Sequence, residues 1–286
     1  MRLVTLLENS ALSDDLGAEH GLSLYIESDD FRLLFDMGAT GLYAENAKKL
    51  GVNLGDVDAA VISHGHYDHG GGLAAFLRIN DHARVYVNRH AFDHHYSRDL
   101  EGNTKPIGLD EQLQHHERLI FTGQEHIIRE GLTLFAGISG EGFQPAGNDT
   151  LLMEQGNEMV ADDFAHEQNL VIRIALPENA HSQGESSEKW ILIAGCAHQG
   201  IERILNHFKD KWGRYPDIAV GGFHLFNRST GTSEPPDRVE ALATSLMETG
   251  TVFYTGHCTG EKPFELLKEL MGDRIHPIAG GSEVFF

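Results

Sequence analysis

The sequence has few basic residues and few cysteines, and each scarcity excludes a class of protein. Lysine and arginine total 22 of 286 residues against 43 aspartates and glutamates, so the formal net charge is -21. This charge repels polyanions, and we therefore expect no nucleic-acid partner. The two cysteines, Cys196 and Cys258, are too few for a disulfide framework and fit a reducing compartment.

Long apolar runs are also missing. No stretch approaches the roughly 20 apolar residues of a membrane helix, and residues 1–10 lack the basic start and apolar stretch of a signal peptide. We therefore expect a cytoplasmic protein that has no membrane partner. Hydrophobic residues make up 41% of the chain, which allows a substantial core and excludes wholesale disorder.

Histidine, in contrast, is abundant at 18 residues, and it is the commonest metal ligand. The densest group is the segment 64–69, His-Gly-His-Tyr-Asp-His, which follows an apolar run at 57–63. Imidazole nitrogens and carboxylate oxygens suit zinc, iron or manganese. Gly65 allows the flanking side chains to approach each other closely. The segment predicts a metal centre rather than a plain polar loop.

The remaining pattern indicates mixed α/β layering. Short strands and hairpins dominate the first half, whereas strands and helices alternate after residue 189. Strands are predicted at 2–7, 21–28, 31–35, 57–63, 84–88, 169–176, 189–194, 217–221, 252–255 and 275–278, and helices at 41–50, 72–79, 200–212, 236–248 and 262–271. A turn is predicted at Asp29-Asp30, and a polar connection at 177–188 joins the two strands of a long hairpin. A strand or hairpin is predicted at 126–138. The segment 89–124 is polar and weakly periodic, which predicts a surface excursion, and the composition of 139–168 is typical of loops.

Four apolar strands are each followed by a polar side chain suited to chemistry. His64 follows the strand at 57–63, and Cys196 and His198 follow the one at 189–194; His224 and His257 come after the next two strands. Ligands in open α/β sheets sit outside the carboxyl ends of strands. These four strand ends therefore predict one shared pocket.

The segment 61–72 resembles the His-x-His-x-Asp-His motif of the metallo-β-lactamase superfamily, and Asp36-Met37-Gly38 resembles its upstream Asp-x-Gly element. The resemblance implies an αββα four-layer sandwich, formed as a single domain over 1–286, with a site for one or two metal ions between the sheets. Further segments at 8–10, 19–23, 195–201, 221–225 and 255–260 resemble one branch. That branch includes the archaeal dihydropterin and ribosylaminobenzene phosphate synthase and related metal-dependent hydrolases.

The resemblance assigns ligands residue by residue. His64 and His66 match ligands of the first metal, and Asp68, His69 and His257 match those of the second. Two departures stand out. The segment 134–143 lacks the third histidine that many relatives place there, and Cys196 stands where many have a bridging aspartate. We expect His198 to complete the first set, while Cys196 is either a thiolate ligand or a packed residue.

Several other residues are candidates for lesser roles. His224 is expected to contact substrate or to hydrogen-bond the transition state, and His20 is a second candidate for substrate binding. Asp68 is expected to orient water as well as to bind metal, and Asp36 to hold a ligand histidine. Surface positions are expected for His90, His94, His95, His115 and His116. Arg89 and Arg98 are candidates for contact with an anionic substrate, although scattered surface arginines are the default.

Three functions remain open at this stage. The leading one is a hydrolase that uses metal-activated water on a small ester, lactone, amide or phosphate-containing molecule, most simply with zinc, although manganese, iron or magnesium also suit the ligands. The second is a transferase that joins a dihydropterin diphosphate to an aminobenzene ribosyl phosphate. The third is a non-catalytic metal-containing binding protein, which predicts a closed metal site.

Overall fold

The computed structural model describes residues 1–28, 30–176 and 188–286, and two seven-stranded sheets dominate this part. The first sheet has, in spatial order, β20 (Glu283–Phe285), β1 (Arg2–Leu7), β2 (Ser23–Glu27), β3 (Arg32–Phe35), β4 (Ala59–Ile62), β5 (Arg84–Asn88) and β8 (Leu119–Thr122). The second has β19 (Ile275–Pro277), β18 (Val252–Thr255), β15 (Ile218–Val220), β14 (Glu188–Ile193), β13 (Gln168–Ala175), β10 (Leu132–Ala136) and β9 (Glu125–Arg129).

Both sheets combine antiparallel and parallel strands. Strands β1, β2 and β3 form an antiparallel meander, and β3, β4, β5 and β8 continue in parallel. In the second sheet β14, β15, β18 and β19 are parallel. Parallel strands are covered on both faces, which is why β4 and β15 are uninterrupted apolar runs.

Helices cover the outer faces of the two sheets: α1 (Leu42–Lys49) and α3 (Leu73–Ile79) on the first, and α4 (Ile201–Trp212), α5 (Pro236–Glu248) and α6 (Glu261–Met271) on the second. The short α2 (Tyr67–Gly70) carries Asp68 and His69. No helix in the described ranges is both long and apolar enough to span a bilayer.

Three apolar clusters show the order of the layers. Tyr43 of α1 and Phe76 of α3 pack against the outer face of the first sheet, and Phe208 of α4 packs against that of the second. Between the sheets, Phe35 of β3 shares a cluster with Ile193 of β14. The layers therefore run helix, sheet, sheet, helix, as the resemblance implies. Burying one such side chain stabilises the fold by about 1.5–3 kcal/mol.

The predictions for 89–124 and 139–168 were wrong in part. Residues predicted as loops include β11 (Leu151–Gln155) and β12 (Glu158–Ala161), which form a small sheet with β6 (His95–Arg98) and β7 (Thr104–Pro106). This sheet is mostly polar, and its buried side chains are too few to give an apolar pattern. A further pair consists of β16 (Phe226–Asn227) and β17 (Thr232–Ser233).

Two other predictions concern the ends of elements. The last predicted strand, at 275–278, is present as β19. No strand was predicted at β20, which forms the edge of the first sheet beside β1. The predicted turn at Asp29-Asp30 includes residue 29, and the predicted connection at 177–188 includes residues 177–187; these lie outside the described residues.

Candidate metal centre

The predicted strand ends meet at one place. His64 follows β4, Cys196 and His198 follow β14, His224 follows β15, and His257 follows β18. Because β14, β15 and β18 are parallel, their carboxyl ends lie at one edge of the second sheet. The segment after β4 faces this edge from the first sheet, and its histidines contact residues of the second sheet.

One group of four buried side chains has the spacing of metal ligands. His69 Nε2 lies 3.1 Å from His257 Nε2 and 3.2 Å from Cys196 Sγ. Asp68 Oδ2 lies 3.3 Å from His257 Nε2 and 3.6 Å from His69 Nε2. A tetrahedral ion with bonds of 2.0–2.1 Å holds its ligand atoms roughly 3.3 Å apart. The four side chains therefore fit one divalent ion without rearrangement.

A second group consists of three imidazoles. The rings of His64, His66 and His198 have centroids 4.6–4.9 Å apart and meet edge to face. The Nε2 atom of each ring is buried and has no hydrogen-bond partner among the described residues. Leaving three buried polar atoms unsatisfied is costly, and coordination of a shared cation removes that cost. His198 thus lies beside His64 and His66, and its role as the third ligand stays a prediction.

Cys196 lies between the two groups. Its Sγ lies within 4.8 Å of the candidate ligand atoms of His64 and His198. It also lies within 4.8 Å of those of Asp68, His69 and His257. The side chain is only 3% exposed. The sulfur is therefore positioned to reach either ion.

Neighbouring polar groups orient these side chains. His69 Nδ1 lies 2.6 Å from Asp36 Oδ2, and His64 Nδ1 lies 2.8 Å from Ser63 Oγ. For the two histidines that follow strands of the second sheet, Asn148 Oδ1 lies 3.1 Å from His198 Nδ1, and Asn9 Oδ1 lies 3.0 Å from His257 Nδ1. Bonds at Nδ1 leave each Nε2 pointing into the centre, which is the usual arrangement around metal-bound histidine.

The electrostatics differ between the two groups. Burial, reinforced by neighbouring imidazoles, holds the pKa of His64 and that of His198 well below the usual range, so both rings are neutral. Burial opposes the charge of His69 as well, but the carboxylates of Asp36 and Asp68 outweigh it and raise the pKa of His69 to about 9. For Asp68, burial acts against ionisation, yet His69 and His257 hold the pKa of its carboxyl well below the usual range.

Strained backbone is concentrated at this centre. Asp36, Ala197, His224 and His257 have φ angles between 50° and 61°, in the left-handed region that residues other than glycine rarely adopt. Such strain persists where the surrounding structure fixes a side chain for function. Gly65 contributes in another way, because a Cβ there would lie 2.3 Å from the carbonyl oxygen of Ala91.

A cavity of about 330 Å³ opens onto the two groups, within the range of small-molecule pockets. His224 lines it, and both ring nitrogens of His224 are buried without a hydrogen-bond partner. His20 also lines it, with Nε2 3.2 Å from Asp68 Oδ2 and its ring stacked on His257. Burial lowers the pKa of His20 to about 4, despite the attraction of Asp68.

The expectation that His95 lies on the surface was wrong. His95 is 1% exposed, and its Nδ1 lies 2.9 Å from Asp162 Oδ2. His166 contacts the same oxygen at 3.3 Å and accepts a hydrogen bond from the Gly65 amide. With His66 these residues form a buried cluster. Asp162 follows β12, which the sequence predicts as loop, and His166 precedes β13. Neither residue therefore follows a strand that the sequence predicts.

From strand alternation the sequence predicts that Cys258 is a structural thiol pointing away from His257, and the structure places it differently. An alternating strand would turn its side chain away from that of His257, but β18 ends at Thr255 and a 3-10 turn begins at His257. Cys258 therefore lines the cavity, and its Sγ accepts a hydrogen bond from the His224 amide at 3.3 Å.

Comparisons with known proteins agree with this architecture. A family model described as the metallo-beta-lactamase superfamily matches residues 16–257. The chain is 26% identical over 310 residues to 7,8-dihydropterin-6-methyl-4-(beta-D-ribofuranosyl)-aminobenzene-5'-phosphate synthase of Methanocaldococcus jannaschii, covering 100% of this chain and 97% of that protein. It is 27% identical over 274 residues to an uncharacterised protein of the same organism, covering 94% of each.

Among solved structures, the chain resembles a crystal structure described as a metal-dependent hydrolase of the beta-lactamase superfamily. The two share 28% sequence identity with a TM-score of 0.80, and the similarity covers 100% of this chain and 99% of the other. Both sheets and the segments that carry the candidate ligands therefore fall within the shared fold.

Proposed function

The chain belongs to the metallo-β-lactamase superfamily, and on that basis we propose that it is a metal-dependent hydrolase of a small molecule. The observation that carries the proposal is the group of unpartnered Nε2 atoms on His64, His66 and His198, of which His66 and His198 line a cavity beside a second ligand group. Divalent ions in such a centre lower the pKa of water and polarise a carbonyl or phosphoryl oxygen.

Each candidate ligand has a role in this proposal. His64, His66 and His198 hold the first ion, and the second is held by Asp68, His69, His257 and the thiolate of Cys196. A thiolate with imidazoles suits zinc better than magnesium or manganese, which prefer oxygen. The 3.2 Å separation of Cys196 Sγ and His69 Nε2 supports the thiolate assignment, because it lies within about 0.4 Å of the sulfur–nitrogen edge of a tetrahedral zinc site.

Two further residues act on the substrate. His224 reaches the cavity with two free ring nitrogens, so we assign it a hydrogen bond to the oxygen that gains charge in the reaction. Asp68 holds His20 and His257 through one oxygen, Oδ2, and is therefore placed to orient water beside the second ion.

The experiment combines elemental analysis with a panel of lactones, phosphate esters and pterin diphosphates. The His66→Ala variant should lose bound metal and activity together, whereas His82→Ala, which removes an exposed imidazole, should keep both. Full activity in the His66→Ala protein contradicts the proposal.

A transferase is the second candidate, because the synthase from Methanocaldococcus jannaschii is similar over the whole chain. It predicts that a pterin diphosphate is consumed only when an aminobenzene ribosyl phosphate is present. Consumption of the diphosphate by water alone contradicts this candidate and supports hydrolysis.

A further inference from the structure

The cavity beside the candidate metal centre is less acidic than the chain as a whole. Its lining has two basic side chains, Lys105 and Arg228, and two acidic ones, Asp68 and Asp99, whereas acidic residues outnumber basic ones in the chain by 43 to 22. Neither cation has a hydrogen bond or ion pair with another described residue. Charged side chains that point into a concave site without a partner are available to a ligand of opposite sign.

A buried hydroxyl lies beside Lys105. Ser97 of β6 is directly opposite Lys105 of β7 in the antiparallel register, which places their Cβ atoms about 5 Å apart. Ser97 lines the same cavity and is 4% exposed, yet its Oγ has no hydrogen-bond partner among the described residues. A buried hydroxyl without a partner is costly, and a ligand oxygen in the cavity satisfies it.

The turn that carries Arg228 is fixed in advance. Asn227 Oδ1 accepts hydrogen bonds from the amides of Ser229 and Thr230, at 2.9 and 3.2 Å. Its Nδ2 donates to the carbonyl oxygen of Gly147 at 3.0 Å. Arg228 therefore extends from an ordered support, which reduces the entropy lost when a ligand binds.

The acidic side chains of the lining form no ion pair with the two cations. Asp99 lines the cavity, but its Oδ1 accepts hydrogen bonds from the amides of Glu101 and Asn103, both at 2.9 Å. Its Oδ2 accepts a third from Asn103 Nδ2 at 3.1 Å. The other acidic side chain of the lining, Asp68, belongs to the candidate metal group. The positive charge of Lys105 and Arg228 thus remains available.

We propose that Ser97, Lys105 and Arg228 bind a phosphate group on the substrate, at a position separate from the group that reacts. Two cations and a hydroxyl match a phosphate, which carries a charge of about -1.5 to -2 near neutral pH, better than a singly charged carboxylate. The inference rests on the proposed function, because the metal centre defines the reacting end of the same cavity.

The test uses thiols, which bind a soft divalent ion at one end and present a variable group at the other. Mercaptoalkyl phosphates with two to four methylenes are compared with the corresponding mercaptoalcohols and mercaptocarboxylates, by calorimetric titration of the zinc-loaded full chain. We expect the phosphate to bind at least about tenfold more tightly than the alcohol for one linker length.

Variants locate the source of this gain. The gain should vanish in the Lys105→Ala/Arg228→Ala protein and shrink in Ser97→Ala. The matched control is Arg78→Ala/Lys262→Ala, which removes the same charge from exposed positions outside the cavity lining and should keep the gain.

The outcomes separate the two proposals. If the alcohols bind but no phosphate binds more tightly, the phosphate site is wrong while the metal centre stands. An undiminished gain in the Lys105→Ala/Arg228→Ala protein, or an equal gain for the carboxylates, likewise overturns the phosphate site. If none of the thiols binds, the metal-dependent function fails, and the inference that rests on it fails too.

Discussion

The Nδ1 atom of His69 lies 2.6 Å from Oδ2 of Asp36, and both side chains are completely buried. Asp36 also accepts hydrogen bonds from the backbone amide and the hydroxyl of Ser63, at 2.7 and 2.8 Å. The carboxylate therefore fixes the orientation of the His69 ring and connects it to the residue before His64. One buried acid supports both ligand groups of the candidate centre.

Replacing this acid tests its support of His69. Asp36→Asn keeps the shape of the side chain but removes the negative charge beside His69 Nδ1, so we expect affinity for the second ion to fall about 10–100-fold. Titration with zinc against a competing chelator measures this affinity. Asp81→Asn, at a fully exposed position, is the matched control and should bind both ions normally. Unchanged affinity in Asp36→Asn would show that the hydrogen bond does not tune the ligand.

The sulfur of Cys196 gives a spectroscopic prediction. Cobalt substituted into the centre should produce a strong near-ultraviolet band from thiolate coordination, and Cys196→Ser should abolish it. Cys258→Ser is the control, because Cys258 lies outside the group of Asp68, His69 and His257. A band that survives in Cys196→Ser and disappears in Cys258→Ser would show that Cys258, and not Cys196, is the thiolate ligand.

Gly195 stands where a larger residue disturbs the first ligand group. A Cβ at this position would lie 2.2 Å from Ser63 Oγ and 3.1 Å from His64 Nδ1. Gly195→Ala should therefore displace the hydroxyl that orients His64, lowering affinity for the first ion about 10–100-fold. The overpacking should cost about 1–3 kcal/mol in the free energy of unfolding, measured with urea. Gly41→Ala, whose new Cβ meets only Ala75 at 3.5 Å, should change neither quantity appreciably.

Metal binding should be linked to thermal stability. An ion that binds only the folded chain stabilises it by about 2.7 kcal/mol at a hundred times its dissociation constant. Chelation should therefore lower the unfolding temperature, and added zinc should restore it in a concentration-dependent way. In His66→Ala the restoration should be smaller. Identical melting curves with chelator and with zinc would contradict the presence of a metal centre in the folded protein.

Much of the centre could be predicted from local sequence patterns. The parallel strands were recognisable as short apolar runs, and the polar residues after them meet as the strand-end rule requires. His198 was predicted from its place after β14, and it lies beside His64 and His66. The strands and the meeting of their ends could be predicted because a strand and the loop at its end are encoded by neighbouring residues. The roles of these residues as ligands stay predictions.

Contacts made across the sheets left no comparable pattern. His166 accepts a hydrogen bond from the amide of Gly65, which is 101 residues away in the sequence, and it precedes strand β13. His95 is buried only because the small sheet places it against Asp162 and His166. Lys105 and Arg228 are ordinary surface residues in the sequence, and only the folded chain shows that they line the same cavity as His224.

The meeting of His69 and His257 joins positions 188 residues apart, one after a strand of each sheet. Contacts of such long sequence separation close late in folding, because a large loop must lose its freedom before any contact is made. An ion bound by both histidines would cross-link the two sheets of the sandwich. After a chelator removes the ion, amide hydrogens along the facing sheets should therefore exchange faster, even at residues far from any metal ligand.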